Sequence, residues 1–224
     1  MTSQPNPTIL LASASPRRRE LLSLTGLRFT TAPADLDETV QPGEAARAYT
    51  IRLSQEKAAA ALPAARASGA VVLAADTTVA DGDTILGKPA DADEARAMLL
   101  RLRGRAHQVI TALTLIDSIT GQSVTDVATT DVWMRDYSDA EIEAYIASGD
   151  PFDKAGGYAI QNTAFHPAEV RSGCFSNVVG LPLCHLTRSL RALGITPPQD
   201  VPAACQSLGD DGCDLAGAIL SGRL

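Results

Sequence analysis

The chain runs to 224 residues, 45% hydrophobic and 20% charged, a globular composition sufficient for one large domain or two small lobes. Its formal net charge of −7 sets the overall field against nucleic acid and anionic membrane, although a local basic cluster can still hold a small phosphorylated ligand. Cys174, Cys184, Cys205 and Cys213 lack CxxC spacing, and His107, His166 and His185 lack HxxxH or HExxH spacing, so no structural zinc signature is present. No apolar run approaches the roughly 20 residues that span a bilayer. With no secretion signal, reduced thiols in a cytoplasmic protein are expected.

In chain order, residues 8–12 read as a buried strand, followed by Ser13-Ala14-Ser15-Pro16. Ser15 is a plausible N-cap and Pro16 suits a first helical turn, so a helix is expected over 17–24, ended by Gly26. A second helix is expected over 44–61 from the spacing of Ala46, Tyr49, Leu53 and Ala60. The apolar run 70–75 suits a central strand that ends at Asp76. Residues 79–85 cross Asp81-Gly82-Asp83 as a short hairpin, and 91–102 form an amphipathic helix closed by Gly104.

Segments 108–117 and 123–134 alternate as paired strands around Gly121, and Ser138-Asp139-Ala140-Glu141 is a capping box opening a helix. The stretch 150–180 is glycine-rich and polar, as functional loops often are. Helix returns over 181–193. Beyond Pro198, residues 199–224 read as an appendage with one short helix and no chemistry. The class is α/β with a mixed sheet.

Three groups of residues can carry chemistry. Ser13, Ser15, Arg17 and Arg18 combine hydroxyls, guanidinium groups and a helix start, a good phosphate cradle. Without a ligand the same stretch is an N-capped surface helix with solvated arginines. Asp76 can ligate a hard cation, orient and deprotonate water, or simply cap a turn. Asp35, Asp37 and Glu38 add carboxylates in a segment too polar for a core. Lys57, Lys88 and Lys154 can neutralise triphosphate oxygens and a leaving pyrophosphate, though each alone reads as a surface lysine. Of the histidines, His185 reads as structural and His166, in the polar loop, as the one to watch. Neither Ser23 nor Ser176 lies in a nucleophile elbow.

The ordered set Leu11-Ala12-Ser13-Ala14-Ser15-Pro16-Arg17-Arg18, Asp37-Glu38-Thr39, Arg52-Leu53-Ser54-Gln55-Glu56-Lys57-Ala58, Ala74-Ala75-Asp76-Thr77, Leu86-Gly87-Lys88-Pro89, Gly149-Asp150-Pro151-Phe152-Asp153-Lys154-Ala155-Gly156-Gly157-Tyr158 and Asn177-Val178-Val179-Gly180 resembles the Maf family of nucleoside triphosphate pyrophosphatases. The resemblance implies a mixed, twisted α/β sheet with flanking helices and two lobes around a cleft, similar to the inosine triphosphate pyrophosphatases. It implies a domain over 8–195, with 196–224 as an extension, and a homodimer. The implied reaction cuts a nucleoside triphosphate between its α and β phosphates with a divalent cation, Mg2+ or Mn2+.

Residue by residue, Asp76 falls at the family's proton-accepting aspartate. Ser13, Arg18, Glu38, Lys57, Lys88, Asp153 and Lys154 fall at positions around phosphates and metal, with Glu38 and Asp76 as metal ligands. Arg17, Thr77 and Gln161 fall where subfamilies differ and resemble the branch acting on dTTP and UTP. Ser15 joins the phosphate contacts. Asn162 departs from the family's usual glycine, which is expected to reshape the base pocket. Two other readings accompany this one: a pyrophosphatase clearing modified or noncanonical nucleotides, and a nucleotide-binding regulator of septum formation.

Overall fold

The computed structural model describes residues 6–34, 36–208 and 213–224. Asp35, one of the acidic candidates, and the pair Asp210-Asp211 lie outside them. The elements run β1 (Ile9–Leu11), α1 (Pro16–Ser23), β2 (Phe29–Thr31), α2 (Ala46–Ser68), β3 (Val71–Asp81), β4 (Thr84–Leu86), α3 (Ala92–Leu102), β5 (Ala106–Asp117) and β6 (Ser123–Met134). They continue with α4 (Asp139–Ala147), β7 (Ala168–Ser172), α5 (Phe175–Val179), α6 (Leu183–Ala192), α7 (Val201–Gln206) and α8 (Ala216–Leu220). Two 3-10 turns, Asp150–Asp153 and Ala155–Gly157, lie between α4 and β7.

One mixed sheet is ordered β2-β1-β3-β5-β6-β7, with β4 also on β3. Strands β1 and β2 are parallel, and β1 is parallel to β3; the long strands β3, β5 and β6 pair antiparallel. These long strands pass through two packed regions. At one end, Leu11, Leu73, Leu113 and Leu115 pack with Leu22 of α1 and Leu186 and Leu190 of α6. On the opposite face, Val72 and Ala74 meet Ala58, Ala61 and Ala65 of α2. At the other end, Val79, Val109 and Val132 pack with Leu99 of α3 and Ile142 of α4. Apolar cores at both ends give two lobes that share one sheet.

One edge of β3 positions the site. Its β5 edge is paired continuously from Val71 to Ala80, whereas the opposite edge carries β1 only at Val71–Leu73 and β4 only from Val79. Between these partners the strand opens onto the space between the lobes, and Asp76 lies in that gap. The expectation that Asp76 ends a strand is therefore corrected: β3 runs straight through it. A carboxylate is tolerated in this buried strand because Lys57 of α2 reaches it, and β-branched Thr77 and Thr78 suit a pleated backbone.

Helix α2 also exceeds its expected end at residue 61 and passes through Pro63 to Gly69, whose φ of 64° suits a left-handed cap. Pro63 is exposed, while Ala58, Ala61 and Ala65 keep the face packed, so tertiary contacts carry the helix through the proline. The capping box at Ser138 forms as expected, with Glu141 closing it. After Pro198 there are two short helices rather than one. Val201 and Cys205 of α7 are buried in the same cluster as Leu186, and Arg188 of α6 joins Asp126 of β6 to the Ile219 and Leu224 carbonyls.

Candidate active site

The gap in β3 opens into a cleft between the lobes. Of the residues singled out in the sequence, Ser15, Arg17, Arg18, Glu38, Lys57, Asp76, Thr77, Lys88, Asp153, Lys154 and Gln161 all line it. Ser13 stands just behind. It is buried, and its Oγ accepts from Ser15 N at 3.2 Å and Arg18 Nη1 at 3.4 Å.

Helix α1 supplies the arginines. Ser15 caps it by accepting from Arg18 N, Pro16 begins it, and no acidic residue stands in its first turn. Arg18 donates from Nε to Gly180 O at 2.9 Å and from Nη2 to Thr77 Oγ1 at 3.0 Å. Burial lowers its pKa, and the charge of Asp76 opposes that shift. Thr77 is held in turn by Thr111, whose hydroxyl reaches the Asn177 carbonyl. Gly180 has a φ of 120°, and a Cβ there would come within 3.4 Å of Thr77 Oγ1, so glycine serves both the backbone and the close approach. Arg17 crosses the cleft to Asp153, 2.9 Å from Nη1 to Oδ2.

Lys57 forms the centre of the acidic side. Its Nζ lies 2.6 Å from Asp76 Oδ1 and 2.7 Å from Glu38 Oε1. Burial opposes ionisation of Glu38, but Lys57, then Lys88 and Arg18, outweigh it and hold the carboxyl below its ordinary value. Asp76 Oδ2 accepts from Thr78 Oγ1 at 3.4 Å, and Thr78 accepts from Thr50 at 2.8 Å. Lys88 is exposed between Gly87 and Pro89.

Lys154 is buried between two aspartates, 2.5 Å from Asp153 Oδ1 and 3.0 Å from Asp150 Oδ1. The following turn packs hard against β3: Gly156 N donates to Gly87 O, and a Cβ at Gly156 would meet Val79 at 3.0–3.1 Å. Gln161 is exposed at the rim. Val79, Ile85, Val109, Tyr158, Ile160 and Val178 give the cleft an apolar end beside this charged one.

The Asn162 side chain does not line the cleft itself but donates to Asp150 Oδ2 at 3.1 Å and accepts from Phe165 N at 2.7 Å, beside the turn that carries Gln161. His166 is exposed with a φ of 45°, and its carbonyl accepts from Arg135. His185 is buried on α6, away from the cleft lining.

Several site residues escaped the sequence. Tyr49, counted there as an apolar helix position, lines the cleft and donates to Glu38 O at 2.9 Å. Its pKa is pushed up to about 12 by burial, then by the charges of Asp76 and Glu38. Arg52 grips Glu44 twice at 2.7 Å and reaches Thr39 O, which pins the loop that carries Glu38. The spacing of Tyr49, Leu53 and Lys57 on one helix face was the available signal.

Comparison with known proteins gives a consistent picture. The family model described as Maf-like protein matches residues 8–193. A "dTTP/UTP pyrophosphatase" of Chromobacterium violaceum is 47% identical over 193 residues, covering 85% of this chain and 96% of that protein. A protein of the same name from Myxococcus xanthus is 50% identical over 190 residues, covering 85% and 94%. One from Thermomicrobium roseum is 44% identical over 220 residues, covering 96% and 97%. Among solved structures, the Staphylococcus aureus Ham1 protein overlays 58% of this chain and 72% of its own with a TM-score of 0.40 and 15% identity. The family-model match spans β1 to the end of α6, including every cleft residue described above, and the chain belongs to the Maf family.

Proposed function

We propose that the chain is a nucleoside triphosphate pyrophosphatase that hydrolyses dTTP and UTP to the monophosphate and pyrophosphate. One observation carries the reading. Asp76, fixed by Lys57 and Thr78 in the open edge of β3, faces a cleft lined by Arg17, Arg18, Lys57, Lys88 and Lys154. The names of the relatives support the same chemistry.

The donors fit a divalent cation. Glu38 and Asp76 are hard oxygen ligands that converge on one point, bridged by the Lys57 ammonium. Magnesium commonly takes one or two carboxylates and completes its shell with phosphate oxygens and water. Among the described residues no group of three or more His, Cys, Asp or Glu is placed to hold a metal ion. Among the described residues lining the cleft, five cations face three carboxylates, and the two positive charges left over fall short of a triphosphate. A divalent cation held by Glu38 and Asp76 would neutralise that remainder and polarise a phosphate oxygen.

The chain's own groups do the rest. Arg17, Arg18, Lys88 and Lys154 bind the phosphate oxygens and offset charge on the departing pyrophosphate. Ser15 and the α1 amides add neutral donors, and Ser13 keeps Arg18 in place. With Oδ1 engaged by Lys57, Asp76 holds a water at Oδ2 and accepts its proton as the oxygen attacks the α phosphorus. The new P–O bond forms as the bond to the bridging oxygen breaks. Gln161 offers both a donor and an acceptor, as the edge shared by uracil and thymine requires, while Thr77 holds Arg18 at the floor.

Residues 8–195 carry this activity in the proposal, with 196–224 outside the chemistry, in a cytoplasmic homodimer. No helix is long and apolar enough to cross a membrane among the described residues. The test is pyrophosphate release with magnesium across a nucleotide panel, with and without chelator, for wild type and Gln161→Glu. Activity concentrated on dTTP and UTP, lost with chelator and redirected by the substitution, is expected. No release from any nucleotide overturns the reading; light scattering tests the dimer.

A further inference from the structure

The turn that carries Gln161 is not free to settle by itself. Ala159 N donates to Tyr145 Oη at 3.1 Å, and Tyr145 Oη donates to Asp150 Oδ2 at 2.7 Å. On the other side of Gln161, Asn162 Nδ2 donates to the same Asp150 oxygen at 3.1 Å. Asn162 also closes the turn from within: its Oδ1 accepts from Phe165 N, its N donates to Ala159 O, and its O accepts from His166 N. Phe165 stacks on Tyr145 with centroids 4.2 Å apart. Both residues flanking the Ile160-Gln161 pair are therefore anchored on one carboxylate.

That carboxylate has a second duty. Lys154 Nζ donates to Asp150 Oδ1 at 3.0 Å and to Asp150 O at 2.6 Å, and it continues through Asp153 to Arg17. Neither Asp150 nor Asn162 lines the cleft. We propose that Asn162 is a specificity-determining positioning residue that, by binding Asp150, sets the base-facing Gln161 and the phosphate-facing Lys154 in one rigid frame. The distance between base contact and phosphate contact is then fixed before substrate arrives, which is how a pocket rejects a nucleotide with a base of the wrong size. This inference rests on the reading of the cleft as a nucleoside triphosphate site.

The experiment compares pyrophosphate release from dTTP and dATP in wild type, Asn162→Ala, Asn162→Asp, Asp150→Asn and the Asn162→Asp/Asp150→Asn double variant. In N162A the kcat/KM ratio of dTTP to dATP is expected to fall about fivefold, the equivalent of one lost hydrogen bond, mainly through KM for dTTP. A variant weakened only in its fold loses activity on both nucleotides together and leaves the ratio alone. N162D sets two carboxylates against each other and lowers the ratio in the wild-type background. Added to D150N it restores a donor and an acceptor, with roles exchanged, and raises the ratio. A wild-type ratio in folded N162A overturns the inference, as does the same direction of effect for N162D in both backgrounds. Wild type that releases no pyrophosphate from either nucleotide overturns the underlying reading instead.

Discussion

Lys57→Met tests whether the centre of the site is a buried ion pair or a solvated one. Lys57 is 8% exposed and Asp76 6% exposed, with 2.6 Å between Nζ and Oδ1. Methionine keeps the length of the side chain on α2 and, among the described residues, leaves the Asp76 carboxylate with the Thr78 hydrogen bond at 3.4 Å. Removing one partner of a buried pair costs about 3–5 kcal/mol, because the other charge stays desolvated. Glu38 is half exposed and its carboxylate can turn to water, which places the expected loss near the lower end, about 3 kcal/mol. For a chain of 224 residues that is a fall in Tm of about 6–12 °C. Urea titration followed by circular dichroism measures it, with Asp76→Asn added to complete a double-mutant cycle. K57M/D76N is expected to recover about 2 kcal/mol, since the orphaned charge is gone. If K57M unfolds within about 0.5 kcal/mol of wild type, water in the cleft already solvates Asp76 and the argument from burial fails.

The same geometry makes three further predictions. Asp76→Asn keeps the fold and lowers kcat by about 10²–10⁴-fold, the usual contribution of a positioned base, and near-normal turnover would sink the role assigned to Asp76. Arg52→Ala releases Glu44 and Thr39 O and is expected to cut kcat/KM by about 10–100-fold through a misplaced Glu38; unchanged kinetics would mean that Tyr49 and Lys57 hold the loop unaided. His107 is buried against Tyr158, and burial lowers its pKa to about 4. The unfolded chain therefore takes up a proton that the native state refuses as pH falls from about 6.5 to 4, and stability drops by about 3 kcal/mol across that window. His107→Gln removes the titration, so its stability between those pH values should be flatter than wild type; parallel curves would contradict the burial argument.

Legibility in the sequence followed how local each signal was. The Ser15 cap, the Asp81-Gly82-Asp83 hairpin turn and the Ser138 box depend on neighbours a few residues away, and all three formed. The candidates Arg17, Arg18, Lys57, Lys88 and Lys154 were chosen by residue type and Asp153 through the family resemblance, and the cleft gathers them from α1, α2 and two loops. What stayed hidden was decided at long range. The β-branched Thr77 and Thr78 permit the strand to continue past Asp76, but what lets a carboxylate sit inside it is Lys57, 19 residues earlier and on another element. Nor does Asn162 advertise that its side chain turns towards Asp150 and away from the cleft. Tyr49 looked apolar because spacing records which face a residue occupies and not where its hydroxyl ends.

The cations of the cleft divide into two kinds, and the division bears on how an anion would enter. Lys57 is shared between Glu38 and Asp76, Lys154 between Asp150 and Asp153, and Arg17 leans on Asp153. Carboxylates already compensate these three, so a phosphate must exchange with them or share them. Arg18 differs: Gly180 O, Thr77 Oγ1 and Ser13 Oγ are all uncharged acceptors. Its orientation is fixed from three elements while its charge remains available, and Lys88 stands exposed nearby. Arg18 and Lys88 are thus the groups able to attract an anion from solution, and the carboxylate-bound cations act once it has arrived. The first step weakens with added salt, because the exposed charge of Lys88 is screened. In the second, Lys57 and Lys154 are shielded by burial. Raising ionic strength should accordingly raise KM for a triphosphate while leaving kcat nearly constant, and a fall in kcat with unchanged KM would contradict this order of engagement.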